Sequence, residues 1–124
     1  MEKLTVLIID DQLYVRKTLH ELLEILYPDA SIYSAENDDE ALSLAKKYQP
    51  HLITLDLTMP GLGGKGLCPK LLELSLSSHV YVMSALSSYS VQDEMRALGA
   101  KGFIAKPVKL AVLKETVDLV IKSL

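Results

Sequence analysis

Five short apolar runs, each followed by apolar residues recurring every three or four positions, divide this chain into five similar units. "LTVLII" (Leu4 to Ile9) is a nearly continuous apolar run, as for a parallel strand covered on both faces. Val15, Leu19, Leu22, Leu23 and Leu26 then form a helical stripe that Tyr27-Pro28 stops. "SIYSA" (Ser31 to Ala35) gives a second strand, and Ala41, Leu44, Ala45 and Tyr48 the next stripe, with Asn37 or Asp38 as cap and Pro50 beyond its end. "HLITLD" (His51 to Asp56) is a third strand; a Gly-rich loop, "MPGLGGKG", follows, and Leu67, Leu71 and Leu74 give a third helical face. "HVYVM" (His79 to Met83) is the fourth strand. "SVQD" (Ser90 to Asp93) has the form of a capping box opening a helix through Val91, Met95 and Leu98 that ends at Gly99. "GFIA" (Gly102 to Ala105) is the fifth strand, and Leu110, Leu113, Val117, Val120 and Leu124 mark a last helix with Leu110, Leu113 and Val117 facing the core.

Strands that alternate with helices at this spacing require right-handed crossovers, hence a parallel sheet with helices on both faces: a doubly wound α/β fold. With 124 residues, 49% hydrophobic and 23% charged, one domain can bury a sufficient core, and residues 1–124 are expected to be that domain with no output domain. A net charge of -3 offers no basic field for a polyanion, so direct nucleic-acid binding is not expected. The first apolar run is too short for a secretory core or a membrane span, which predicts a cytoplasmic protein without membrane insertion. Cys68 is the only cysteine, so no intrachain disulfide or cysteine zinc cluster can form.

In sheets of this kind ligands bind beyond the carboxyl ends of the strands. There the first strand delivers Asp10-Asp11, the third Asp56, the fourth Ser84-Ala85 and the fifth Lys106-Pro107. Singly these read as a solvated turn and helix cap, another turn acid, a turn serine and a surface lysine; their weight lies in the set. Two carboxylates about 5 Å apart repel by roughly 3 kcal/mol at an effective dielectric of 20, so three together demand a cation. Oxygen-only ligands select a hard ion, and magnesium is the usual one where phosphate is handled. His20, His51 and His79 lack ligand spacing and read as structural.

The acidic pair, the segment "DLTMPGLGG" (Asp56 to Gly64), the Ser84-Ala85 pair and "GFIAKP" (Gly102 to Pro107), in this order and spacing, resemble the receiver (CheY-like) domain of two-component response regulators over the whole chain. The resemblance implies a flavodoxin-like five-stranded sheet of order 2-1-3-4-5 with five helices. It implies that Asp56 accepts a phosphoryl group from a histidine kinase, a phosphotransfer protein or a small acyl phosphate. Mg2+, for which Mn2+ can substitute, would be held by Asp11, Asp56 and the backbone carbonyl of Thr58, with Asp10 acting through a bound water. Lys106 would pair with one phosphoryl oxygen, Ser84 would donate to another, and small Ala85 would leave room for the donor. In the family the Lys-Pro bond is often cis.

The same resemblance implies a switch, in which Ser84 is drawn toward the phosphoryl group and Phe103 turns inward. The changed surface would be the fourth helix, fifth strand and fifth helix, where a downstream protein docks. The chain is then a phosphoacceptor, not an enzyme acting on others, that catalyses transfer to its own Asp56 and its slow hydrolysis. Chemotaxis-like signalling stands slightly ahead of a relay intermediate, and the alternative is a non-phosphorylated pseudo-receiver that only binds proteins.

Three departures from the family pattern stand out. Gly63 replaces an acid common in relatives, and Gly66 and Pro69 weaken the start of the third helix, which is expected to be mobile or specialised for a partner. Leu86, two residues past Ser84, and Thr58, two past Asp56, are poor at positioning attacking water, so slow phosphate loss is expected. Apart from the resemblance, Val112 and Leu119 fall outside the last apolar stripe and suggest a docking or homodimer face on the final helix.

Overall fold

In the computed structural model, which describes residues 3–85 and 88–124, strands and helices alternate along the chain. The elements are β1 (Thr5–Ile9), α1 (Leu13–Leu26), β2 (Ser31–Ala35), α2 (Asp38–Tyr48), β3 (Leu52–Asp56), α3 (Gly63–Leu74), β4 (His79–Ser84), α4 (Tyr89–Ala97), β5 (Gly102–Ala105) and α5 (Leu110–Lys122). The five strands form one parallel sheet of order β2-β1-β3-β4-β5. This is the doubly wound architecture expected from the apolar pattern, with the strand order that the family resemblance implies.

The near-continuous apolar strands are explained by burial on both faces. Leu7 and Ile9 of β1, with Ile53 and Leu55 of β3, pack into one core with Ala41, Ala45, Leu67, Leu71 and Met95 of α2, α3 and α4. Val6 and Ile8, with Leu52, pack into the other with Leu19, Leu23, Leu113, Val117 and Val120 of α1 and α5. Each such side chain taken from water contributes about 1.5–3 kcal/mol before chain entropy is subtracted, so the central strands β1 and β3 anchor the fold.

Helix ends follow local chemistry, with several shifts from the sequence pattern. Asn37, not Asp38, caps α2, its Oδ1 accepting the Glu40 N–H at 2.9 Å. The fourth helix opens two residues earlier than its "SVQD" pattern predicts: Ser88 is the cap, accepting the Val91 N–H at 3.3 Å, so Ser90 lies inside α4. Leu110 is a further correction. Placed in the core by its spacing, it is 48% exposed at the first position of α5, while Thr116 takes a buried place and turns its hydroxyl onto the Val112 carbonyl. Leu124 lies beyond the end of α5 and is exposed. The third helix, expected to be weak, runs unbroken through Gly66 and Pro69. Val112 and Leu119 are exposed, as their place outside the stripe predicts. Among the described residues no helix is long and apolar enough to cross a membrane.

Candidate phosphoacceptor and metal site

The sheet register brings the polar strand ends together. Ile9 pairs with Leu55, so Asp10 follows β1 level with Asp56 at the end of β3. Asp56 pairs with Met83, and Ser84 pairs with Ala105, so Lys106 leaves β5 beside Ser84. Asp10, Asp11 and Asp56 each place a carboxylate oxygen within 4.8 Å of the others. Asp10 and Asp56 are almost wholly buried, at 1% and 3% exposure, whereas Asp11 faces solvent.

Lys106 is the counter-charge within the protein. Its Nζ lies 2.8 Å from Asp10 Oδ2 and 3.3 Å from Asp56 Oδ1. Burial alone would lower its pKa, but the hydrogen bond and charge of Asp10, followed by those of Asp56, outweigh that and hold the ammonium above its ordinary value. The bond from Lys106 to Pro107 is cis, and the Lys106 N–H donates to the Ser84 carbonyl at 3.0 Å, joining the ends of β4 and β5. Ser84 itself is buried.

Backbone and side-chain donors fix the two buried acids. Asp10 Oδ1 accepts the Gln12 N–H at 2.9 Å, so both of its oxygens are engaged. Asp56 Oδ1 accepts the Thr58 N–H and the Thr58 hydroxyl, each at 3.2 Å, as well as facing Lys106. These contacts all fall on Oδ1 of Asp56. Arg16, which the sequence reading passed over, donates from Nη1 to the Asp10 carbonyl at 2.8 Å and pairs through Nη2 with Glu36 at 3.7 Å. Its sequence signal is the basic pair Arg16-Lys17 one turn into the first helix, too common a feature to point to this rim.

Three carboxylates against one ammonium leave these four groups with two negative charges, so the donor set fits a divalent, oxygen-seeking cation such as Mg2+. Asp11, exposed and beside two engaged acids, presents an oxygen to such an ion. Of the remaining predicted residues, Thr58 is exposed next to Asp56 and Ala85 is exposed beside Ser84. Phe103 lies away from the acids, half-buried against the α2–α4 core with the Arg96 guanidinium 5.6 Å from its ring centroid. Leu86, to which slow hydrolysis was tied, lies outside the described residues.

His20 pairs with Glu24 at 2.8 Å on α1, while His51 and His79 sit at the amino ends of β3 and β4, so none joins this rim.

Comparison with known proteins agrees with this geometry. Residues 6–118 match the model of the response regulator receiver domain. The chain is 35% identical over 122 residues to the probable transcriptional regulator ycf27 of Porphyridium aerugineum, covering 98% of this chain and 50% of that protein. It is 28% identical over 118 residues to the chemotaxis protein CheY of Halobacterium salinarum, covering 95% and 97% of the two. Among solved structures, a response regulator protein from Burkholderia pseudomallei, containing a phosphorylated aspartic acid, a calcium ion and citrate, superposes with a TM-score of 0.77. It shares 26% identity and is covered over 64% of its chain and 90% of this one. The chain spans half the length of the first curated relatives it matches.

Proposed function

The chain belongs to the response regulator receiver family of two-component signalling, and from that premise we propose that Asp56 accepts a phosphoryl group and that the resulting aspartyl phosphate changes which proteins bind. The observation that carries this reading is the acceptor's setting: a buried carboxylate held by Thr58, sharing the Lys106 ammonium with Asp10 and lying within 4.8 Å of the carboxylates of Asp10 and Asp11. A carboxylate is a weak nucleophile, so charge neutralisation and positioning must supply the rate.

In the proposed transfer, an oxygen of Asp56 forms a bond to phosphorus as the N–P bond of a phosphohistidine breaks, the imidazole taking a proton. With acetyl phosphate the acyl O–P bond breaks and acetate leaves. Asp56 Oδ1 is occupied by Thr58 and Lys106, which turns Oδ2 toward the donor. Lys106 then moves its ammonium onto a phosphoryl oxygen, and Ser84 donates its hydroxyl to another. Asp11, Asp56 and the Thr58 carbonyl would hold Mg2+ or Mn2+, with Asp10 acting through a bound water, and the bound ion would supply charge neutralisation on the transferring oxygens. The neighbouring structure with a phosphorylated aspartate and a divalent ion supports pairing the two here. Hydrolysis is slow, since neither Leu86 nor Thr58 offers an acid or amide to orient water.

The donor is a histidine kinase or phosphotransfer protein, and the output is a protein docking on α4, β5 and α5 in the cytoplasm. Withdrawal of Ser84 toward the phosphoryl group and inward rotation of Phe103, which gives up its contact with Arg96, couple site to surface. Association of two copies through Val112 and Leu119 of α5 belongs to the same reading. The version favoured is chemotaxis-type signalling, supported by the CheY relative from Halobacterium salinarum.

Incubation with magnesium and acetyl phosphate, followed by intact-mass measurement, tests the proposal. A gain of one phosphoryl group that disappears in Asp56→Asn is expected. No gain with any donor would overturn it in favour of a protein-binding pseudo-receiver.

A further inference from the structure

The loop from Leu57 to Leu62, which carries Thr58, has no acid of its own to hold it. Its base is closed by the Gly64 N–H donating to the Leu57 carbonyl at 3.4 Å. Its far end is tied sideways to another element: the Leu62 N–H donates to Asp38 Oδ2, in the first turn of α2, at 2.7 Å. Leu62 is the residue that caps α3, and it makes no side-chain capping bond. The first turn of α3 contains Gly63, Gly64 and Lys65, with no acid, and Lys65 sends its ammonium away to Glu94 on α4 at 2.6 Å. A helix start without a capping oxygen or an acid leaves its N–H groups and positive dipole end uncompensated. Asp38 supplies both from outside the helix.

The loop is shaped to admit that carboxylate. Gly61 has φ of 104°, a conformation L side chains rarely adopt, and a Cβ built there would run into Asp38 Oδ2. Backbone conformation and close approach thus both require glycine beside the carboxylate. Asp38 Oδ1 is buried with no hydrogen-bond partner among the described residues, so the Leu62 N–H carries the anchoring.

We infer that Asp38 is a positioning residue for the phosphorylation site. By pinning Leu62 it fixes the loop whose Thr58 holds Asp56 and offers its carbonyl to the cation. The inference rests on the reading of Asp56 as phosphoacceptor and goes beyond it, since Asp38 touches neither acceptor nor donor.

The test compares Asp38→Ala, Asp38→Asn and Asp39→Ala with the unaltered chain. Asp39, in the same turn of α2 and exposed, controls for the lost charge at that helix end. Mg2+ affinity is read by calorimetry and phosphorylation by acetyl phosphate from intact mass over a range of donor concentrations. Asp38→Ala is expected to weaken Mg2+ by about tenfold, as loss of a group that orients a metal ligand commonly does, and to slow phosphorylation at saturating donor. Asp38→Asn, which keeps an acceptor for the Leu62 N–H, should recover most of both, and Asp39→Ala should change neither. A melting temperature lowered in Asp38→Ala with Mg2+ affinity and rate unchanged would overturn the inference and leave a purely structural tie. Equal effects of Asp38→Ala and Asp39→Ala would overturn it in favour of helix charge. If the unaltered chain binds Mg2+ but gains no phosphoryl group, the phosphoacceptor reading fails first and takes this inference with it.

Discussion

Lys106 is the residue on which the resting site depends most. Its raised pKa means that the folded state favours the ammonium; that stability is therefore fully present below the ordinary lysine value and is lost only as pH rises through the higher folded one. Removing it should be felt across the whole neutral range. Lys106→Ala leaves Asp10, 2% exposed at its side chain, and Asp56, at 3%, facing each other without a cation. The expected loss is on the order of 2 kcal/mol, between that of a solvated pair and that of a fully buried one. The charge of the cluster then changes from two negative to three, so Mg2+ should stabilise Lys106→Ala more than the unaltered chain. Thermal melts of both proteins with and without Mg2+ measure this, and equal shifts would show that Lys106 and the cation do not share the same acids. Sequence alone named every charged member of this cluster, because strand ends are legible from apolar runs that stop. It could not give Asp38 or Arg16, whose roles depend on which loop or carbonyl the fold brings alongside.

At the scale of elements, the opposite rim of the sheet has a separate chemistry. The Thr5 N–H, at the start of β1, donates to His51 Nδ1 at 3.0 Å, and the His79 N–H donates to the His51 carbonyl at 2.8 Å. The amino ends of β1, β3 and β4 are thereby joined through two histidines. The pKa of His79 is lowered, first by burial, then by the charge of Lys101 and by His51. A lowered histidine pKa means that the unfolded chain takes up protons first. Stability is then complete above about pH 6.5 and declines as pH falls through the window beneath it to the folded pKa. Melting temperatures at pH 7.5 and 5.5 should show a smaller acid-induced drop for His79→Gln, which keeps the backbone bond to His51; an identical drop would place the proton uptake elsewhere. The sequence reading placed these histidines correctly at strand starts but had no means of seeing their bonding. Element boundaries failed for a similar reason. Leu110 and Val112 differ in spacing from the buried Leu113 by only a few positions, and what decides their exposure is where α5 crosses the sheet, which periodicity does not contain. Ser88 displaced the "SVQD" start because a serine two residues earlier with an accessible N–H three residues on caps equally well.

Taken as a whole molecule, the metal site and the fold are one equilibrium. The three acids come from the ends of β1 and β3, two adjacent interior strands, and their approach depends on the Ile9–Leu55 register. Slipping that register by one residue would turn alternate side chains to the wrong face and separate the carboxylates, so an unfolded or misregistered chain has no such site. A cation that binds only the native state stabilises it by about 2.7 kcal/mol at a hundredfold excess over its dissociation constant. For a domain of 124 residues that corresponds to a rise in melting temperature of roughly 10 °C. Asp11→Asn isolates the effect, because Asp11 is the exposed acid of the three. Without metal its melting temperature should be unchanged or raised, since the substitution removes repulsion from two buried neighbours; with Mg2+ most of the rise should be lost. Melts at constant ionic strength separate this from general screening of a chain of net charge -3. A full Mg2+-induced rise in Asp11→Asn would mean that the ion stabilises the protein from somewhere other than this rim, and the division of labour proposed for Asp10 and Asp11 would fall with it.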